Sequence, residues 1–234
     1  MLPEYNICQK AFSENGLTLE KEVYDRLNIY AEFLVKTNES INLTAITEPY
    51  EILVKHFADS IAVTKYINFA DGIKVIDVGT GAGFPLLPIK IYKPKIDITL
   101  LDGNNKRINF LSELCDKLGL NAQCIHQRAE LLAKDSGYRE QYDIATARAV
   151  SAMPSLIEYC MPFVKKNGIF CAMKGPSEKI ADAENAVKLL GGKFEQSIDY
   201  DINGEKRRII IIKKIAPVSP KYPRPSGKIK SKPL

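Results

Sequence analysis

The stretch that decides the fold is Lys-Val-Ile-Asp-Val-Gly-Thr-Gly-Ala-Gly-Phe-Pro, residues 74–85. A β-branched run ends near Asp77, and Gly79, Gly81 and Gly83 then occupy alternate positions. Such a turn lets the backbone approach a ligand closely, because glycine adopts positive φ at little cost. The dinucleotide fingerprint requires its third glycine three residues after the second, where this chain has Phe84. The G-x-G-x-G spacing after an acidic strand end therefore fits S-adenosylmethionine better than a pyrophosphate, although such a turn alone could be only a tight strand-to-helix connection.

Around this loop, short β-branched runs alternate with helical stretches, which is typical of βαβ units and a parallel sheet. Two later runs flank an Asn-Gly turn at residues 203–204 and predict a terminal antiparallel hairpin. The sequence therefore predicts an α/β, Rossmann-like domain with a mostly parallel central sheet over residues 71–215. The predicted strands are Lys74 to Val78, Asp97 to Asp102, Ala122 to His126, Asp143 to Ala147, Ile169 to Lys174, Lys193 to Tyr200 and Arg207 to Lys213, and the clearest helix is Asn105 to Leu118.

The two ends of the chain differ from this central part. Residues 1–70 predict a helical N-terminal extension, with one amphipathic helix over residues 18–36 and a second running from Pro49 towards Ile67. Residues 216–234 contain five prolines and too little apolar content to fold alone. From Lys213 onwards there are seven Lys or Arg and no acid, which leaves 26 of the 33 bases to face 28 acids elsewhere. The pattern predicts a basic tail that docks or binds, with RNA phosphates as candidate partners of Lys221, Arg224 and Lys228.

The composition limits the classes of protein to which the chain can belong. Hydrophobic residues make up 45% and charged residues 26%, as in an ordinary globular protein. No apolar run approaches the ~18 residues of a membrane span, and the start lacks a targeting pattern, so a cytoplasmic protein is expected. The five cysteines are scattered without metal-ligand or redox spacing. We expect reduced core cysteines, no metal site and a monomer.

Three charged residues fall where open α/β folds bind ligands, at the carboxyl ends of predicted strands. Asp102 could accept both ribose hydroxyls of an adenosine ligand, or could instead cap the following helix. Glu130 could accept from an adenine amino group, or could be a solvated surface residue. Arg148 lies between apolar neighbours and therefore predicts an anionic partner.

Two further residues are open to both a functional and a structural interpretation. His56 shares the apolar stripe of its predicted helix, which favours a core residue over a catalytic one. Lys174 ends the fifth predicted strand and could contact a phosphate or a guanine, or could be a solvated lysine.

Motifs that are missing from the sequence disfavour two methyl-transfer chemistries. Enzymes that methylate exocyclic amines usually place Asn/Asp-Pro-Pro-aromatic after the fourth strand, where this chain has Thr-Ala-Arg-Ala-Val-Ser, residues 146–151. Enzymes that methylate carbon 5 of cytosine need a nucleophilic cysteine beside a proline, and Cys160 and Cys171 do not have that setting.

Taken together, these residues resemble one family, the bacterial rRNA small-subunit methyltransferase G family, also called glucose-inhibited division protein B. The resemblance covers nearly the whole chain. Small departures are Ala147, where the family commonly has Ser, and Pro225-Ser226, where it often has Lys-Ala. The matching segments are residues 42–45, 56–60, 77–85, 101–102 with 106–107 and 110–111, 128–130, 148–150, 174–175, 220–227 and 232–234.

The resemblance implies a Rossmann-like S-adenosylmethionine-dependent methyltransferase that modifies N7 of a guanosine in 16S rRNA, alone or within the small ribosomal subunit. It implies cofactor contacts at Gly79, Phe84, Ala129-Glu130 and Arg148. Guanine N7 carries no proton, so no general base is expected and the catalytic residues stay unassigned. The alternative is a non-catalytic regulatory module that holds an adenosine nucleotide in the same glycine loop.

Overall fold

The computed structural model describes residues 1–148, 151–178 and 180–234. Within these residues, seven strands form one sheet in the order β3-β2-β1-β4-β5-β7-β6. The strands are β1 Lys74–Val78, β2 Asp97–Asp102, β3 Gln123–His126, β4 Tyr142–Arg148, β5 Val164–Lys174, β6 Gly192–Ile202 and β7 Glu205–Lys214. The helices are α1 Tyr5–Glu14, α2 Lys21–Asn38, α3 Pro49–Glu51, α4 Asp59–Ala62, α5 Leu86–Tyr92, α6 Asn105–Leu118, α7 Ala129–Leu132, α8 Met153–Cys160, α9 Glu184–Leu189 and α10 Ser226–Ser231.

The pairing of the strands places the glycine loop and Asp102 at one edge of the sheet. Strands β1 to β5 pair in parallel, and in the register Asp77 lies opposite Leu100 of β2 and Thr146 of β4. Strand β7 runs antiparallel to β5 and to β6. The β6–β7 turn has positive φ at Asn203 and Gly204, as a two-residue hairpin requires. The predicted mostly parallel sheet and terminal hairpin are therefore confirmed.

The N-terminal helices share one hydrophobic core with a face of the sheet. Helix α2 buries Leu27, Tyr30 and Leu34, and it begins and ends two or three residues later than the predicted 18–36. The second predicted helix is a succession of short segments, because a π-helical turn, Ile52–Ala58, separates α3 from α4. A π-turn widens the helix by one residue per hydrogen bond, and such turns are frequent at functional sites. Here the turn carries His56.

The C-terminal residues belong to the core on the opposite face of the sheet. Val218, Tyr222 and Ile229 are buried there against helix α8 and its neighbours. Residues 216–234 are therefore docked on the domain, and tertiary contacts supply the burial that the tail's own composition lacks. Within the described residues, no helix combines the length and apolar character needed to cross a membrane.

Candidate functional site

The glycine loop between β1 and α5 has the geometry that its sequence predicts. Gly79, Gly81 and Gly83 all adopt positive φ, and the Gly79 amide donates to the Leu101 carbonyl at 2.8 Å. A Cβ atom at Gly81 would meet no neighbour within 4 Å, so this position opens towards ligand space. At Gly83 a Cβ atom would lie 2.6 Å from the Tyr30 hydroxyl, so the structure gives this glycine a role in packing α2.

Asp102 holds the loop in place, and it does not cap the next helix. Its Oδ2 atom accepts from the Gly81 amide at 2.9 Å and its Oδ1 atom from the Asn104 amide at 2.8 Å. Asn104 is the N-cap of α6, because its side chain accepts from the Lys106 amide at 2.9 Å. The capping alternative for Asp102 is therefore wrong. Its carboxylate is buried yet borders two cavities, where free lone pairs remain for a ligand's hydroxyls.

One cavity of about 320 Å³ lies on the β3 side of Asp102. Ala129 and Glu130 of α7 line it, together with Gly79. The Glu130 side chain is buried and its Oε1 atom lies 3.2 Å from Nε of Arg128, which excludes the solvated-surface interpretation. This cavity has the acceptors that an adenosine needs, and its size fits the lower end of small-molecule sites.

A second cavity of about 460 Å³ lies on the α2–α4 side and shares Gly79 and Asp102 with the first. Phe84 and Arg148 line it, and so does His56. The His56 ring stacks on the Phe84 ring at a centroid distance of 4.4 Å, and the Arg148 guanidinium lies 4.9 Å from the centre of the same ring. A ligand that bridged both cavities at Gly79 would therefore end beside an aromatic face and a cation.

Arg148 is positioned by a carboxylate that sequence reasoning missed. Its Nη1 atom lies 3.2 Å from Oδ2 of Asp59. The other oxygen of that carboxylate, Oδ1, accepts from the Tyr200 hydroxyl at 3.1 Å and lies 3.4 Å from Nε of Arg207. Asp59 is 3% exposed, so it is the anionic partner that a buried arginine requires. No local signal in the sequence marks this pair, because Asp59 lies 89 residues before Arg148.

His56 is a buried, neutral member of the second cavity. Its Nε2 atom lies 2.8 Å from the Thr44 hydroxyl and its Nδ1 atom 3.4 Å from Nη2 of Arg148. Burial, and after it the charge of Arg148, lowers the pKa of His56 from 6.5 to about 4. The imidazole therefore carries no charge at neutral pH, and it cannot be assigned to the core alone because it borders the cavity.

Below the loop, two buried polar atoms among the described residues lack a hydrogen-bond partner, Oδ2 of Asp77 and Oγ1 of Thr80. The other carboxyl oxygen of Asp77 accepts from Thr146 at 2.8 Å. Complete burial raises the pKa of Asp77 from 3.8 to about 7. Thr80 also lines the second cavity, so its hydroxyl is available to a polar group of a ligand bound there.

The four predicted RNA contacts have different surroundings. Lys174 lines a third cavity of about 280 Å³ beside Arg148, and its ammonium is 3.3 Å from Glu178 and 2.6 Å from the Ser151 carbonyl. Lys221 and Lys228 are exposed. Arg224 corrects the prediction, because its guanidinium is paired with the fully buried Glu158 at 2.6 Å. The rest of the Arg-Ala-Val motif after Arg148, residues 149–150, lies outside the described residues.

The comparisons with known proteins decide the family. Residues 23–209 match the family model of rRNA small subunit methyltransferase G. Ribosomal RNA small subunit methyltransferase G of Clostridium botulinum (strain Eklund 17B / Type B) is 45% identical over 98% of both chains. The protein of the same name from Clostridium perfringens (strain 13 / Type A) is also 45% identical over 98% of both. The chain belongs to this methyltransferase family.

Solved structures support the fold. A SAM-dependent methyltransferase from Aquifex aeolicus superposes with a TM-score of 0.56 at 19% identity, covering 72% of this chain and 94% of that one. Magnesium protoporphyrin IX methyltransferase from Synechocystis PCC 6803, solved with bound SAM, gives a TM-score of 0.58 at 13% identity over 79% and 97%. The predicted family, fold class, enzyme class and S-adenosylmethionine cofactor are thus confirmed, and the regulatory-module alternative is not supported.

Proposed function

We propose that this methyltransferase transfers the methyl group of S-adenosylmethionine to N7 of a guanosine in 16S rRNA, as a cytoplasmic monomer. The observation that carries the proposal is the pair of cavities that meet at Gly79 and Asp102. One cavity suits an adenosine, and the other is large enough for the methionyl half and an incoming base. Both open at the carboxyl edge of the sheet, where α/β folds of this kind bind ligands.

The cofactor is held by residues from four separate segments. Asp102 and Glu130 serve as acceptors for the ribose hydroxyls and the adenine amino group, and Gly81 leaves room for close approach. Phe84 supplies an apolar floor to the second cavity. Arg148, held by Asp59, provides a cation for the cofactor's carboxylate. When bound, S-adenosylmethionine supplies a methyl group on a positively charged sulfur.

Guanine N7 fits a site without a general base. N7 has a lone pair and no proton, so it can form its bond to carbon without a group that removes a proton. His56 is neutral, stacked on Phe84 and hydrogen-bonded through both nitrogens, so its role is to shape the cavity. Rate enhancement then comes from alignment, which can supply roughly 7 to 11 kcal/mol.

Cations near the third cavity and on the tail serve RNA binding in this proposal. Lys174 borders that cavity next to Arg148, and Arg207 adds a third cation to its lining. Lys221 and Lys228 are exposed on the C-terminal tail. Such cations bind phosphates whatever the base sequence, and the pocket selects the base.

The proposal is tested by mapping 7-methylguanosine in 16S rRNA. Cells that lack this chain should lose the modification at one guanosine, and the purified protein should restore it with labelled S-adenosylmethionine. A Gly81→Val variant should fail to restore it, because its side chain fills ligand space at a backbone with φ of 61°. An unchanged modification map, or methylation at a different atom of the base, would overturn the proposal.

A further inference from the structure

The C-terminal tail is fastened to the domain beside the cofactor cavity. Glu158 of α8 is fully buried and accepts from Arg224 at the backbone amide (2.8 Å), at Nε (2.9 Å) and at Nη2 (2.6 Å). Arg139 donates to the carbonyls of Val218 at 2.8 Å and of Tyr222 at 3.0 Å. These contacts fix the course of the chain on both sides of Tyr222 and set the start of α10.

Helix α10 then presents two side chains to the first cavity. Ser226 and Lys230 are four residues apart and so share one helical face, and both line the 320 Å³ cavity with Asp102 and Glu130. Ile229 points the other way and is buried in the core against α8. Part of the basic tail thus borders this cavity.

Ser226 is also connected to the carboxylate of Glu130 through Arg128. Its hydroxyl lies 3.2 Å from the Tyr159 hydroxyl and accepts from Nη2 of Arg128 at 3.5 Å. Nε of Arg128 lies 3.2 Å from Glu130. Arg128 therefore links the tail to Glu130. The Arg128 side chain is 60% exposed, so without the contact to Ser226 it could adopt other rotamers.

We propose that α10 is the outer wall of the cofactor site, with Lys230 contacting the adenosyl half and Ser226 acting as a positioning residue for the Arg128–Glu130 pair. This inference rests on the proposed function. We assign these two residues to the adenosyl half of the cofactor because of their position. Both border the cavity that contains Glu130 and not the cavity that contains Phe84.

The test is calorimetry on full-length variants with two ligands, S-adenosylmethionine and 5′-methylthioadenosine, which lacks the amino-acid half. Ser226→Ala and Lys230→Ala should each raise the Kd about twofold to tenfold, which corresponds to one lost hydrogen bond. The factor should be the same for both ligands, because both carry the adenosyl group. Ser226→Thr keeps the hydroxyl and should bind like the wild type. Lys228→Ala, on the exposed side of α10, is the matched control.

Three outcomes decide against the inference. Wild-type affinity in both alanine variants would show that α10 only borders the cavity. A loss confined to S-adenosylmethionine would place the effect on the methionyl half. If Lys230→Ala weakened RNA binding alone, Lys230 would belong to the RNA surface. A wild-type chain that bound neither ligand would instead overturn the proposed function itself.

Ser226→Tyr provides a second variant that does not depend on hydrogen-bond strength. A phenol ring at position 226 would occupy the cavity, so both ligands should bind more weakly than to Ser226→Ala. The cavity is open to solvent, so the melting temperature of the ligand-free protein should stay near that of the wild type. Unchanged affinity in this variant would mean that position 226 does not face the bound cofactor.

Discussion

Arg224→Ala should be among the most destabilising substitutions in the C-terminal tail, because the Arg224 side chain is only 13% exposed. Glu158 is 0% exposed, and Arg224 supplies its backbone amide and two guanidinium nitrogens to the carboxylate. Removing one partner of a buried ion pair costs about 3 to 5 kcal/mol, because an uncompensated charge remains in the interior. Among the residues that the structure describes, the backbone amide of residue 224 would be the one donor left to Glu158 in this variant.

The protein can limit that cost by releasing the tail. Undocking exposes Tyr222 and Ile229, and re-exposing a large apolar side chain costs about 1.5 to 3 kcal/mol each. Keeping the tail docked over an unpaired Glu158 and releasing the tail thus have similar costs. In both cases the free energy of unfolding should fall by about 3 to 5 kcal/mol. Release would also expose the tail to proteases, whereas a docked tail with a strained Glu158 would stay protected. Limited proteolysis therefore identifies the route.

The measurement is urea unfolding followed by circular dichroism, with Lys228→Ala as the exposed control, expected within about 0.5 kcal/mol of wild type. The double variant with Glu158→Gln should recover part of the loss, because a buried amide costs less than a buried charge. A loss below about 1 kcal/mol for Arg224→Ala, with the tail still protected, would refute the reasoning and mean that water reaches Glu158.

Four further predictions concern the site. Asp102→Ala should weaken S-adenosylmethionine binding by about 1.5 to 3 kcal/mol in calorimetry, with a smaller loss of stability; the reverse order would make this residue structural. Lys221→Ala with Lys228→Ala should reduce the slope of log RNA affinity against log salt by up to about 2 and leave cofactor affinity unchanged. The single-turnover rate at saturating substrates should be nearly flat from about pH 6.5 to 8.5, and His56→Asn should keep most of it; a tenfold rise per pH unit that a single variant abolishes would expose a base. The folded-state pKa of Asp77, about 7, lies above its unfolded value. Its stabilising contribution is therefore full below about pH 4 and is lost as pH rises through 7, so the stability of Asp77→Asn in urea should fall less over that range.

The central strands could be predicted almost to the residue. Strands β1 and β2 match the expected Lys74–Val78 and Asp97–Asp102, because buried parallel strands are continuous apolar runs that end at glycine or aspartate. Strand β5 begins at Val164, five residues before the predicted Ile169. The intervening Lys-Lys-Asn-Gly reads as a turn. The register with β4 jumps from Tyr142–Val164 to Ile144–Ile169, so these four residues bulge out of the strand pairing.

The cofactor loop was predictable for the same reason, since local sequence determines its shape. The surroundings of Arg148 were not, because Asp59 and Tyr200 come from segments more than 50 residues away on either side. A lone aspartate on a helix is read as solvated until the partner in space is known. Long-range pairing of charges is information that no window of the sequence contains.

The same limitation affects the salt dependence of RNA binding that is predicted for the tail. Seven bases from Lys213 onwards predict a salt slope of about 5 to 6 if each contacts a phosphate, at about 0.7 to 0.9 per contact. In the folded chain Lys213, Lys214 and Arg224 lie 3.7, 2.8 and 2.6 Å from Glu195, Glu140 and Glu158. An arginine already paired in the interior releases no counterion when RNA binds. Four exposed lysines, 221, 228, 230 and 232, remain, so the tail's share of the slope should be no more than about 3 to 4. If Lys230 contacts the cofactor, the share falls by one contact more. RNA titrations at several salt concentrations therefore measure how many of the tail's charges contact the RNA. Comparing the slopes with and without the cofactor shows whether Lys230 is one of them.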